Sequence, residues 1–175
     1  MLLPDVRHWL EGDMARHMLV EFPLLMFVGY GFATAFPSAS SAVLSRFDQL
    51  GVASLTLATA TLSVWMIPAA LDATLADPST AMAKYATLVA TGFALHGVNR
   101  RAPLALQSFF VLGLAWMTVT VGLIYQESPQ QLCLYYLTDA QERAGRGIVI
   151  VAAMGAVLWC VHAVRVRNYH VAATL

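Results

Sequence analysis

Charge is what this chain of 175 residues has least of: Asp, Glu, Lys and Arg make up 11% of it, against about a quarter in a typical soluble domain. With 59% hydrophobic residues, that scarcity excludes an ordinary solvated globule and points to a membrane chain. An excess of either sign is missing too, because ten basic residues balance ten acidic ones. The basic footprint that a nucleic-acid partner requires is therefore absent. Cysteine is limited to Cys133 and Cys160. The topology below places them on opposite sides of a membrane, so no disulfide between them is expected. The chain also lacks Cys-x-x-Cys, His-x-His and His-Glu-x-x-His spacings, the patterns of strong zinc or metalloprotease sites. No hydrolytic or transferase constellation replaces them, and the chain is not read as an enzyme. Residues 1–16 carry acids and no long apolar run, so they read as retained chain, with the first membrane helix as the insertion signal.

What is present is a series of apolar runs. A helix needs about 20 apolar residues to cross the hydrocarbon core, and five runs approach that length: 18–36, 51–71, 80–98, 104–125 and 146–166. The expected fold is a single all-α domain over 1–175, a polytopic bundle of about five transmembrane helices in contact with the lipid bilayer. The loops hold the punctuation, as in Asn99-Arg-Arg-Ala-Pro103 and Glu127-Ser-Pro-Gln-Gln. Basic residues fall evenly on the two sides, so the positive-inside rule alone does not decide the orientation. Arg100, Arg101, Arg165 and Arg167 form tight juxtamembrane pairs, whereas the opposite side mixes its arginines with most of the acids. On that ground the C-terminus is expected in the cytoplasm and the N-terminus outside.

The first span is preceded by Asp13-Met-Ala-Arg-His17-Met18-Leu-Val-Glu21-Phe-Pro23. Asp13, His17 and Glu21 recur every four residues and would share one helix face, one turn apart. At the mouth of a membrane segment such polar groups form either a site or a solvated entry helix. Pro23 removes a backbone hydrogen bond and should leave the helix disturbed near Leu19. The topology collects His8, Asp13, Met14, His17, Met18, Glu21, Asp72, Cys133 and Asp139 at the outer face. Imidazole, thioether, thiolate and carboxylate together suit a metal, with copper or zinc favoured by the histidines. A structural network of polar helix ends is the competing reading.

A second set of histidines, His96 near the end of the third span and His162 near the end of the fifth, has matching depth at the inner face. Two imidazoles on separate helices are what axial ligation of haem b requires, although two interfacial histidines look the same. That alternative would make the chain an electron-transfer subunit. A plainer alternative is an accessory subunit whose aromatic and methionine-rich helices pack against a larger respiratory complex, with Gly92, Gly113 and Gly155 admitting close approach. Leu132-Cys-Leu-Tyr-Tyr-Leu137 is too short to cross and should lie along the interface, with Tyr135 and Tyr136 at headgroup level. Thr138-Asp-Ala-Gln141 reads as a capping box opening the last helix.

Asp13-Met-Ala-Arg-His17-Met18 followed by Pro23-Leu-Leu, and Thr138-Asp139-Ala-Gln141-Glu-Arg-Ala-Gly145 later, resemble the histidine-bearing first motif and the Asp-Gln-x-x-Gly motif of the CtaG-type cytochrome c oxidase assembly proteins. The resemblance covers about a third of the chain. It implies a bacterial inner-membrane protein associated with assembling a copper-containing oxidase, with respiratory oxidase subunits as partners and His17, Asp139 and Gln141 as the transferred positions. Where the family usually has about seven spans, this chain has five, and it lacks the further histidines that often follow the first motif.

Overall fold

The computed structural model describes residues 4–128 and 130–173, apart from the side chains of 4–5, 7–8, 38–39, 41, 43, 45 and 169–173. Among the described residues every regular element is helical. A short amphipathic helix α1 (Pro4–Glu11) leads through Gly12 and Asp13 to α2 (Met14–Arg16), a π turn (His17–Glu21) and α3 (Phe22–Ala35). There follow α4 (Pro37–Phe47), α5 (Val52–Trp65), α6 (Pro68–Ala76), α7 (Pro78–Leu95), α8 (Val98–Arg101), α9 (Leu104–Glu127) and α10 (Thr138–Ala173).

The π turn sits where Pro23 predicts a defect. Proline has no N–H to give to the carbonyl four residues back, and its ring crowds that carbonyl. A wider turn over His17–Glu21 relieves both problems just before the regular α3 begins. The second apolar run is likewise broken by a proline: α5 and α6 meet at an angle of 76°, with Ile67 extended ahead of Pro68, as a residue preceding proline prefers.

Among the described residues three helical stretches are long and apolar enough to cross a membrane, Met14–Ala35, Leu104–Glu127 and Thr138–Asn168, and a fourth is added if the bent α5–α6 pair counts as one span. The expected five are thus three or four by length and composition. The shortfall falls on α7, whose 18 residues include Lys84 and several hydroxyl side chains. Apolar side chains on the long helices point outward, among them Phe27, Phe109, Trp116, Val157 and Leu158. Such a surface suits hydrocarbon, since soluble monomers seldom expose apolar patches of this extent.

Helix α3 packs along α7, α5 leans on α7 and α9, and α9 with α10 forms an antiparallel pair. Close approach along α3 and α7 depends on two glycines. A Cβ on Gly29 would lie 1.9 Å from the Val89 carbonyl oxygen, and one on Gly92 would lie 1.9 Å from that of Met26. Gly122 and Gly145 serve α9 and α10 in the same way, while Gly113 and Gly155 face open space. The main apolar core gathers Met14, Met18, Phe22, Trp65, Leu71, Leu88, Tyr125 and Ile148. It forms the floor on which the polar site rests.

Candidate functional site

Lys84 is the only lysine in the chain, and it is wholly buried. A buried ammonium needs partners, because leaving it unpaired in an apolar interior is very costly. It has three: His17 Nε2 at 2.8 Å, Glu21 Oε1 at 3.0 Å and Glu11 Oε1 at 3.4 Å. His17 and Glu11 accept hydrogen bonds from it, and Glu21 adds its charge as an ion pair. His17 and Glu21, also fully buried, meet each other at 3.2 Å across the π turn. Tyr85, the residue after the lysine, donates its hydroxyl to the same Glu11 oxygen at 3.0 Å.

The proton on His17 can be assigned from its neighbours. Tyr136 Oη stands 2.8 Å from the Glu11 carbonyl oxygen and 2.8 Å from His17 Nδ1. A carbonyl only accepts, so the tyrosine gives it its single proton and must accept from His17. Nδ1 therefore carries hydrogen, and Nε2 turns its lone pair to the ammonium. This is the neutral imidazole that a cation ligand requires.

Four separate segments build the cage. Glu11 ends α1, His17 and Glu21 span the π turn, Lys84 lies in α7, and Tyr136 comes from the loop ahead of α10. That loop is held inward by two further carboxylate and amide contacts. Asp72 Oδ2 accepts from the Leu134 N–H at 2.7 Å. Gln141 Oε1 accepts from the Leu132 N–H at 2.9 Å, while its amide donates to the Tyr125 carbonyl at 3.2 Å. Cys133 is buried beneath. Burial and the Asp72 carboxylate push its thiol up to about 12, and burial, with Glu11 nearby, also raises the Tyr136 hydroxyl. Both stay protonated near neutral pH, and Cys133 and Cys160 are free thiols.

The residues singled out by sequence divide accordingly. His17 and Glu21 stand together at the centre. Asp13 does not share their face: its backbone is extended, it caps α2 by accepting from the Ala15 and Arg16 N–H groups, and it pairs with Arg143 at 3.4 Å near the surface. Its fourth-residue spacing misled because the helix starts after Asp13, not before it. Met18 turns into the apolar core. Asp139 is exposed at the start of α10, and Gln141, read as half of a capping box, spends its side chain on Leu132 and Tyr125 instead. The His8 side chain lies outside the described residues. Tyr136, expected at headgroup level, is buried as the link between His17 and Glu11, while Leu134, Tyr135 and Leu137 point outward.

Glu11, Lys84 and Tyr136 are the site residues that sequence reasoning passed over. A lone lysine inside an otherwise apolar run was the available signal for one of them. At the opposite end of the molecule, His96 ends α7 against the Tyr30 ring, and the exposed His162 lies beside Trp159 on α10. Arg101, close by, is engaged with the carbonyls of Ala94 and His96 at 3.0 Å each and with Asp48 at 3.5 Å.

Among the described residues one group of histidine, cysteine and acidic side chains has metal-holding geometry. Glu11, His17 and Glu21 each offer a ligand atom, all within 4.8 Å of one another. One nitrogen and two carboxylate oxygens suit a divalent ion of intermediate hardness, such as zinc or cupric copper. Cuprous copper, which prefers sulfur, is less well matched by one nitrogen and two carboxylate oxygens. The chain matches no protein-family model, no curated protein and no solved structure.

Proposed function

We propose that this is a polytopic membrane protein that handles a divalent metal ion, copper being the favoured one, in the cage of Glu11, His17 and Glu21 on the outer face of a bacterial inner membrane. One observation carries the reading: three ligand atoms from two segments converge within 4.8 Å around a point already chosen by a positive charge, the Lys84 ammonium. A pocket that holds an ammonium between two carboxylates and an imidazole has the sign that a metal ion needs. The CtaG-type resemblance supports copper and an oxidase-assembly setting, with oxidase subunits as the partners that give or receive the ion. Neither Asp13 nor Asp139 is required by this reading.

The same burial supports a five-span arrangement, and the paired arginines Arg100, Arg101, Arg165 and Arg167 favour placing its C-terminus in the cytoplasm. Lys84 is the one charged side chain in α7, and pairing it with two glutamates removes the chief obstacle to placing that helix in the membrane. Helix α7, about 27 Å long at 1.5 Å per residue, then crosses as the third span, and the bent α5–α6 pair crosses as the second.

Metal analysis of the purified protein against His17→Gln tests the function. Zinc or copper should be retained by the wild type and lost from the variant. Equal content in both would remove His17, and with it the cage, from metal handling.

A further inference from the structure

The ammonium of Lys84 and a metal ion cannot occupy the cage together, because His17 Nε2 and the carboxylates of Glu11 and Glu21, which the metal would need, already surround the ammonium. His17 Nε2 at 2.8 Å, Glu21 Oε1 at 3.0 Å and Glu11 Oε1 at 3.4 Å stand around the nitrogen at hydrogen-bond or ion-pair distance. A zinc ion would need each of these atoms at about 2.0–2.2 Å from itself, on the ground where the nitrogen stands. His17 has no second face to offer, since Nδ1 is turned to Tyr136 at 2.8 Å. We propose that Lys84 is a built-in surrogate cation: it keeps the cage closed and charge-paired, and it must swing out before a divalent metal can bind. This rests on the cage being the metal site.

The device has a physical rationale. Two glutamates and a histidine buried without a cation would repel one another and lose their hydration. A tethered ammonium holds them in place at no cost in association entropy, so the three ligands stay convergent while the cage waits for its ion. Competition from the tether also lowers the apparent affinity, which favours passing the ion on over trapping it. Lys84 has somewhere to turn: its Nζ already lies 4.8 Å from the centre of the Tyr85 ring, near enough for a cation–π contact once the carboxylates are taken by metal.

The test uses zinc as a redox-silent probe on the full chain in detergent. Because Lys84 is the chain's only lysine, acylation by an amine reagent, followed by mass spectrometry of the Lys84 peptide, reports one side chain. Lys84 should resist acylation without zinc and become reactive at saturating zinc, and the zinc effect should vanish in His17→Gln. Zinc binding by calorimetry should also be at least about tenfold tighter in Lys84→Met, equivalent to about 1.4 kcal/mol. Zinc bound by the wild type with Lys84 still protected would overturn the surrogate role and leave the metal site standing. Equal zinc affinity in wild type and Lys84→Met would do the same. Binding by Lys84→Met alone would support the surrogate and defeat metal handling by the wild type. No binding by either would defeat both. Should Lys84→Met fail to fold, the acylation experiment on wild-type protein decides alone.

Discussion

Tyr136 is the residue on which the electronic state of the site turns. Its hydroxyl gives a proton to the Glu11 carbonyl and takes one from His17 Nδ1, at 2.8 Å in each case. Removing the oxygen leaves a buried carbonyl without that donor and frees His17 to carry its proton on either nitrogen. Leaving buried polar groups unsatisfied costs about 1–3 kcal/mol. Tyr136→Phe is therefore expected to lower the unfolding free energy by about that amount, measured in detergent by denaturant or thermal unfolding, and to weaken zinc binding. An unchanged stability would mean that the tyrosine is not the proton-directing partner. At this scale the sequence was only half legible. His17 and Glu21 stood out by spacing, but Tyr136 lies 119 residues from His17, and no periodicity connects a loop tyrosine to a helix histidine across that distance. Asp13 shows the converse, since a spacing that satisfied a helical pattern was spent on capping because the helix begins one residue later.

Among the elements, α3 and α7 set the site, because His17 and Glu21 enter from the turn before one and Lys84 from the other. Their alignment depends on backbone-to-backbone approach at Gly29 and Gly92, where a Cβ would come within 1.9 Å of the facing carbonyl oxygen. Such a clash cannot be relieved by a side-chain rotation, so the helices must part. Gly92→Ala should destabilise the protein by about 1–3 kcal/mol, the range for overpacked sites, and should disrupt zinc binding by moving Lys84 away from His17. Gly155→Leu is the matched control: nothing lies within 4 Å of its Cβ position, and stability in detergent should be unchanged. A loss from Gly155→Leu in the membrane but not in detergent would identify a partner packed there. Sequence singled out Gly92 and Gly155 alike as close-packing positions, because a glycine in an apolar helix looks the same in both roles. Only the facing helix distinguishes them. Proline was the better signal: Pro23 foretold a local break, which is present as a π turn, whereas Pro68, passed over inside the run 51–71, bends α5 against α6.

For the whole molecule, the placement of α7 in the bilayer turns on its buried lysine. Helical class and the apolar runs were legible because a backbone in lipid must satisfy its hydrogen bonds internally, which makes composition alone informative. The number of crossings was less so: Met14–Ala35, Leu104–Glu127 and Thr138–Asn168 qualify outright, α5 and α6 qualify only as a bent pair, and α7 falls short by composition. Yet composition counts Lys84 as a full charge, whereas the structure pairs it with Glu11 and Glu21. Paired in this way, it presents far less charge to the membrane than its sequence suggests. Both ends of α7 bear polar stops, with Asp77 capping the first turn through Ser79 and Thr80, and Arg101 closing the last carbonyls. A helix with polar fastenings at each end and its one charge paired fits a crossing better than a helix lying flat. Reporter fusions after Ser79 and after Arg101 should accordingly lie on opposite sides of the membrane, with the Arg101 fusion on the side of the C-terminus. Were both fusions to report one side, α7 would be a helix folded back within the protein, the crossings would number four or fewer, and the cage would face the same compartment as Arg101.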